Sequence, residues 1–121
     1  REAAALLARR QAQLAGADVA IRHDSRGICL SADDAPLFAV RGTTVLVSPA
    51  PPDAERTLAR RAIEAAGLEL REEPVERGML ARMDELFYVD HRGVTAISSC
   101  KGVPYMSLIA ERVAKAMENM F

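Results

Sequence analysis

Cysteine, histidine and lysine are scarce here, two of each in 121 residues, and the scarcity narrows the chemistry at once. Cys29 and Cys100 are too few for a disulfide framework, and with only His23 and His91 beside them no zinc-ligand spacing arises. No metal site is expected, and both thiols read as buried or inert. No apolar run approaches the length of a membrane span. A surplus of one charge is also missing: 16 basic and 17 acidic residues leave a formal charge of -1, spread along the chain. Nucleic acid and anionic membrane are therefore not expected partners. No signal, transit or lipidation motif is visible, which makes the cytoplasm the expected location. Arg1 is not a natural translation start, so the chain is expected to be the carboxyl-terminal part of a longer protein.

What is present suits one globular domain over residues 1–121, with 50% hydrophobic and 27% charged residues. Residues 1–14 are nearly all helix formers, with Ala3, Leu6, Leu7, Gln11 and Leu14 at helical spacing, and Gly16 is placed to end that helix. Val19, Ala20 and Ile21 predict a short strand running into the turn His23-Asp24-Ser25-Arg26-Gly27. A second strand follows over residues 28–30. Ala32-Asp33-Asp34-Ala35-Pro36 reads as an interruption before the strand Leu37-Phe38-Ala39-Val40. Arg41-Gly42 turns the chain into the β-branched run 43–47.

The run Pro49-Ala50-Pro51-Pro52 stops the sheet pattern, and Asp53 is placed to cap a helix whose apolar side carries Leu58, Ala62, Ile63 and Ala66, ended by Gly67. Residues 68–75 alternate apolar and charged side chains as a half-exposed strand does, with Glu69, Arg71 and Glu73 on the wet face. A short helical turn is expected over 76–83. The most hydrophobic run, Leu86-Phe87-Tyr88-Val89, predicts a central strand, broken at Asp90-His91-Arg92-Gly93 before one more strand over 94–97. Lys101-Gly102-Val103-Pro104 reads as a loop. Residues 105–120 close the chain as an amphipathic helix with Met106, Ile109, Val113 and Met117 on one face.

This order of elements resembles the second domain of the class IV aminotransferases, the family of branched-chain aminotransferases and aminodeoxychorismate lyases. The residues that carry the resemblance are Asp24-Ser25-Arg26-Gly27, Leu37-Phe38-Ala39-Val40, the strand from Val45 to Pro49, Leu68-Glu69-Leu70-Arg71-Glu72-Glu73-Pro74-Val75 and Met83-Asp84-Glu85-Leu86-Phe87. They run from about residue 18 to residue 97. The resemblance implies an α+β fold, a short-stranded mixed sheet forming a partial barrel packed with helices, as in fold-type IV pyridoxal-phosphate enzymes. It further implies pyridoxal phosphate as cofactor, an amino-acid or aminodeoxychorismate-like substrate, and a homodimer.

Carried over residue by residue, the family's cofactor positions are altered. The resemblance places the Schiff-base lysine just upstream of Arg1; Lys101 and Lys115 lie in the wrong part of the pattern, so no catalytic residue is assigned. The glutamate that faces the pyridine nitrogen corresponds to Ser31, whose neutral hydroxyl does not keep that nitrogen protonated. Asp33 or Asp34 is the substitute if the loop bends differently. The helix start that cradles phosphate corresponds to Asp53-Ala54-Glu55-Arg56, where Asp53 consumes amides and Glu55 repels an anion. The second cradle corresponds to Val89-Asp90-His91-Arg92, one residue short, with His91 and Arg92 offering compensating positive charge.

The candidate cofactor-binding residues are thus Ser31, Asp53, Ala54, Glu55, Asp90, His91 and Arg92. Asp90-His91-Arg92-Gly93 at a strand end reads equally as a solvated turn. Cys100 beside Lys101 reads as a reactive thiol or an inert loop cysteine. The five methionines read as packing residues, and Arg9-Arg10 and Arg60-Arg61 as solvated helix faces paired with glutamates. Two functions follow: a class IV aminotransferase-like protein with an eroded cofactor site, or a non-catalytic relative that lost pyridoxal phosphate and serves as a small-molecule-binding or assembly module.

Overall fold

Alternation along the strands decides the architecture. A computed structural model describes residues 13–15, 21–32 and 34–120. Its centre is β4 (Ala35–Arg41), which pairs antiparallel with β7 (Glu85–Asp90) and with β5 (Thr44–Val47). Both neighbours of Phe38, Ala39 and Val40 are therefore strands, and side chains of opposite parity leave on opposite faces. Phe38, Val40, Val45, Val47, Phe87 and Val89 build one core, shared with the two helices. Leu37, Ala39, Leu46, Leu86 and Tyr88 build a second core on the other face, with Cys29, Val75, Leu80 and Met83. Phe38 and Phe87 stand opposite each other in register, and their rings stack at 5.2 Å between centroids.

Around this centre the sheet is mixed, as expected. β2 (Ile21–His23) and β3 (Cys29–Ala32) form an antiparallel hairpin. β8 (Gly93–Ile97) pairs antiparallel with β7, while β6 (Glu69–Glu72) pairs parallel with β5. Asp24 organises the first hairpin: its carboxylate accepts from the Arg26 amide at 2.8 Å and the Ile28 amide at 3.0 Å. The Ile28 bond, with the guanidinium and amide of Arg26, holds the Asp24 carboxyl below its ordinary value. Ser48, fully buried, joins three segments, donating to the Cys29 carbonyl at 2.6 Å and accepting from the Val75 amide at 2.9 Å.

Helix α1 (Ala54–Ala65) begins where expected: Asp53 is its cap and accepts from the Arg56 amide at 2.7 Å. It ends where expected too. Gly67 has φ +79, its amide donates to Glu64, and the Leu68 amide reaches back to Ile63, a closure that a left-handed glycine permits. A 3-10 helix (Arg77–Arg82) occupies the short helical turn. Helix α2 (Leu108–Glu118) packs beside α1, and Arg112 donates to the Ala66 carbonyl at 2.7 Å.

Several expectations are corrected. Gln13 and Leu14, expected to end a helix, lie with Ala15 in strand β1 (Gln13–Ala15), parallel to β8; pairing with an open strand edge overrides local helix propensity. The rest of that segment, and Arg9-Arg10, lie outside the described residues. Ala35 and Pro36 belong to β4 rather than to a loop, because proline at a strand's start forfeits little. The strand expected over 68–75 is confined to β6. Lys101-Gly102 is not a plain loop but a two-residue turn, both residues at positive φ, between β9 (Ser99–Cys100) and β10 (Val103–Pro104). Met106 precedes α2 and is 53% exposed, whereas Val113 and Met117 face the core.

Among the described residues Glu85 is the one fully buried carboxylate, 1% exposed, on the face of β7 that carries Phe87. Its two oxygens accept from the Ile109 and Ala110 amides, at 2.7 and 3.0 Å, in the first turn of α2. The helix's own Ser107 makes no side-chain cap, so Glu85 supplies the negative charge and the acceptors that the helix start requires. Replacing it leaves buried amides unpaired. Glu85→Ala is expected to lower unfolding free energy by about 2–3 kcal/mol, and Glu85→Gln by less, in urea denaturation followed by circular dichroism.

Candidate functional site

The carboxyl end of β7, the turn after it, the junction of β3 with β4 and the first turn of α1 meet at one cavity of about 240 Å³, lined by Ala32, Asp34, Ala35, Glu55, Tyr88, Asp90, His91 and Arg92. Tyr88 and Asp90 share a face of β7 by strand alternation, and Asp90 is 8% exposed. The turn His91-Arg92 is held by Asp90 itself. One carboxylate oxygen accepts from the Arg92 amide at 2.8 Å, and the other from the Arg92 guanidinium at 3.1 Å. Three carboxylates thus face one guanidinium around the cavity.

Of the candidates read from sequence, Glu55, Asp90, His91 and Arg92 are brought together. Asp53 and Ala54 are exposed and lie outside the lining, although Asp53 fixes the helix turn that presents Glu55. Ser31 is half-buried in β3 and does not line the cavity; its neighbour Ala32 does. Asp34 lines the rim and is 3.6 Å from Arg22, and Asp33 lies outside the described residues. Arg56 points its guanidinium to the Ser48 carbonyl at 2.7 Å. Lys101 and Lys115 are exposed and line nothing here.

Tyr88, Ala32 and Ala35 were not singled out from sequence. Counting back two from Asp90 finds Tyr88 by strand parity, but the alanines carry no local signal. A second hollow of about 410 Å³ lies along α1 between Arg56, Arg60 and Glu72, where Arg60 and Glu72 form an exposed ion pair at 3.1 Å. Arg60 and Glu72 neutralise each other in solvent and Arg56 is turned to the Ser48 carbonyl, so the smaller cavity, with its buried acid and aromatic wall, is the stronger candidate. Among the described residues no cluster of histidine, cysteine and acidic groups is able to hold a metal.

No family model matches the sequence, and no curated protein matches it. Solved structures do. The branched-chain aminotransferase of Thermoproteus uzoniensis with norvaline superposes at a TM-score of 0.77 and 21% identity, over 85% of this chain and 37% of that one. The Escherichia coli branched-chain amino acid aminotransferase gives 0.74 and 22%, over 85% and 37%. An aminotransferase from Brucella abortus, bound to the cofactor PLP, gives 0.77 and 18%, over 84% and 39%. The fold is that of the class IV aminotransferases. This chain spans a little over a third of the length of these fold neighbours. The α+β class IV architecture that the motifs implied is thereby borne out. Among the described residues no helix is long and apolar enough to cross a membrane.

The class IV scaffold also separates the two thiols. Cys29 is 1% exposed, and burial pushes its thiol above the ordinary value, against a smaller opposing effect of Arg77. Burial likewise raises Tyr105, whose hydroxyl donates to the Leu80 carbonyl at 2.7 Å. Each group holds its proton longer in the folded than in the unfolded chain. Their contribution to stability is present below the ordinary values of 9.0 and 10.0 and is lost as pH rises past them. Iodoacetamide is expected to label half-buried Cys100 first and Cys29 only on unfolding. Cys29→Ala is expected to shallow the alkaline fall in stability.

Proposed function

We propose that this chain is the pocket-bearing part of a class IV aminotransferase-like protein, and that its cavity takes a small amino-acid-like ligand. One observation carries the reading: the start of α1 and the end of β7, far apart in sequence, converge on a single cavity beside Tyr88. A volume of about 240 Å³ is below the roughly 300–1,000 Å³ common for larger ligands, which suits a molecule of amino-acid size. Glu55 and Asp90 offer carboxylates to an ammonium group, His91 offers a ring nitrogen to a carboxylate, and Tyr88, Ala32 and Ala35 supply an apolar wall. The fold likeness supports the same class of ligand, since the Thermoproteus enzyme was crystallised with norvaline. The sequence resemblance supports a homodimer. The donor set, with Glu55 and Asp90 in the lining, does not fit the phosphate of pyridoxal phosphate.

Titration of the full-length protein with a panel of neutral and acidic amino acids, read by calorimetry, tests this. At least one is expected to bind saturably, with affinity lowered tenfold or more by Asp90→Ala and by Tyr88→Ala. Binding by none of them, or binding that both variants leave unchanged, contradicts the reading.

A further inference from the structure

In the turn that lines the cavity and in the helix start beside it, a backbone amide is already taken. At the start of α1 the Arg56 amide is bound to the Asp53 carboxylate at 2.7 Å. At the end of β7 the Arg92 amide is bound to the Asp90 carboxylate at 2.8 Å, and the Arg92 guanidinium to its other oxygen at 3.1 Å. These are the two segments where the sequence resemblance implies a phosphate cradle. A helix start or a turn holds phosphate by offering free backbone donors, and a carboxylate that fills them removes the donors and adds a charge of the wrong sign. Glu55, half-buried in the first turn of α1, and Asp34 at the rim add two more negative charges to the same cavity.

We infer that the chain has replaced the phosphate of a cofactor with its own carboxylates: Asp90 in the cavity and Asp53 beside it each occupy a backbone amide, and the cavity accepts a ligand that carries no phosphate. This rests on reading the cavity as the ligand pocket. It accounts for three departures together, since an acid at the helix cap, an acid in its first turn and an acid at the strand end each act against the same group.

The test is calorimetric titration of the full-length protein with pyridoxal 5'-phosphate and with inorganic phosphate, in parallel with the amino-acid titration. The native protein is expected to show no saturation by either phosphate up to millimolar concentration. The triple variant Asp53→Gly, Glu55→Thr, Asp90→Thr is expected to bind pyridoxal 5'-phosphate at least tenfold more tightly than the native protein. Should it fail to fold, Glu55→Gln alone, which keeps both amide contacts and removes one charge, is expected to gain a smaller but measurable affinity. Micromolar binding of pyridoxal 5'-phosphate by the native protein overturns the inference and leaves the ligand pocket standing. A folded triple variant with no gain overturns it as well. Failure of the pocket reading shows separately, as loss of amino-acid binding.

Discussion

Glu85 places two oxygens on the amides of Ile109 and Ala110, and much of the structure depends on that contact. The acid sits on the central pair of strands, beside Phe87 and directly under the start of α2, so it fixes where the last helix meets the sheet. A buried carboxylate without partners is not tolerated; two amides and the positive end of a helix provide them. Once α2 is seated, Val113 and Met117 complete the core shared with α1, and Arg112 reaches the end of α1. β7 is held from both edges and from one face, which leaves its carboxyl end, with Tyr88 and Asp90, rigidly placed at the cavity.

The same device recurs through the molecule. Asp24 holds the amides of the first hairpin, Asp53 the start of α1, Asp84 the Gly42 amide at 2.7 Å, and Asp90 the turn that follows β7. A carboxylate aimed at a backbone amide makes a strong, short bond and fixes the turn around it. In the hairpin at Gly42 and in the helix cap this is structural. At the cavity it has a chemical result, because it occupies the Arg92 backbone amide on which a phosphate would sit. The pocket of this chain is therefore better matched to an ammonium group than to a phosphate. The fold is that of the class IV aminotransferases, while the cavity is proposed to have turned from phosphate to other ligands.

Local signals made part of this legible in the sequence. Asp53 and Gly67 bracket α1 because a cap and a left-handed closure are written within a few residues. Leu86-Phe87-Tyr88-Val89 announced the central strand by hydrophobicity alone. Met83-Asp84-Glu85 was recognised as part of a family pattern, yet its physical role was hidden, since the partners of Asp84 and Glu85 lie across the fold at Gly42 and in α2. The hairpin at Lys101-Gly102 is not legible in the sequence, because its strands are two residues long and carry no alternation. At the site, Glu55, Asp90, His91 and Arg92 were found by counting along the resemblance, whereas Ala32 and Ala35 emerged only from the meeting of β3 with β4.

The most direct test of the account is a crystal structure of the full-length protein grown with excess pyridoxal 5'-phosphate. The account predicts the Arg56 and Arg92 amides still bound to Asp53 and Asp90, with no phosphate between them. A phosphate seated on those amides, with either carboxylate turned away, would contradict it.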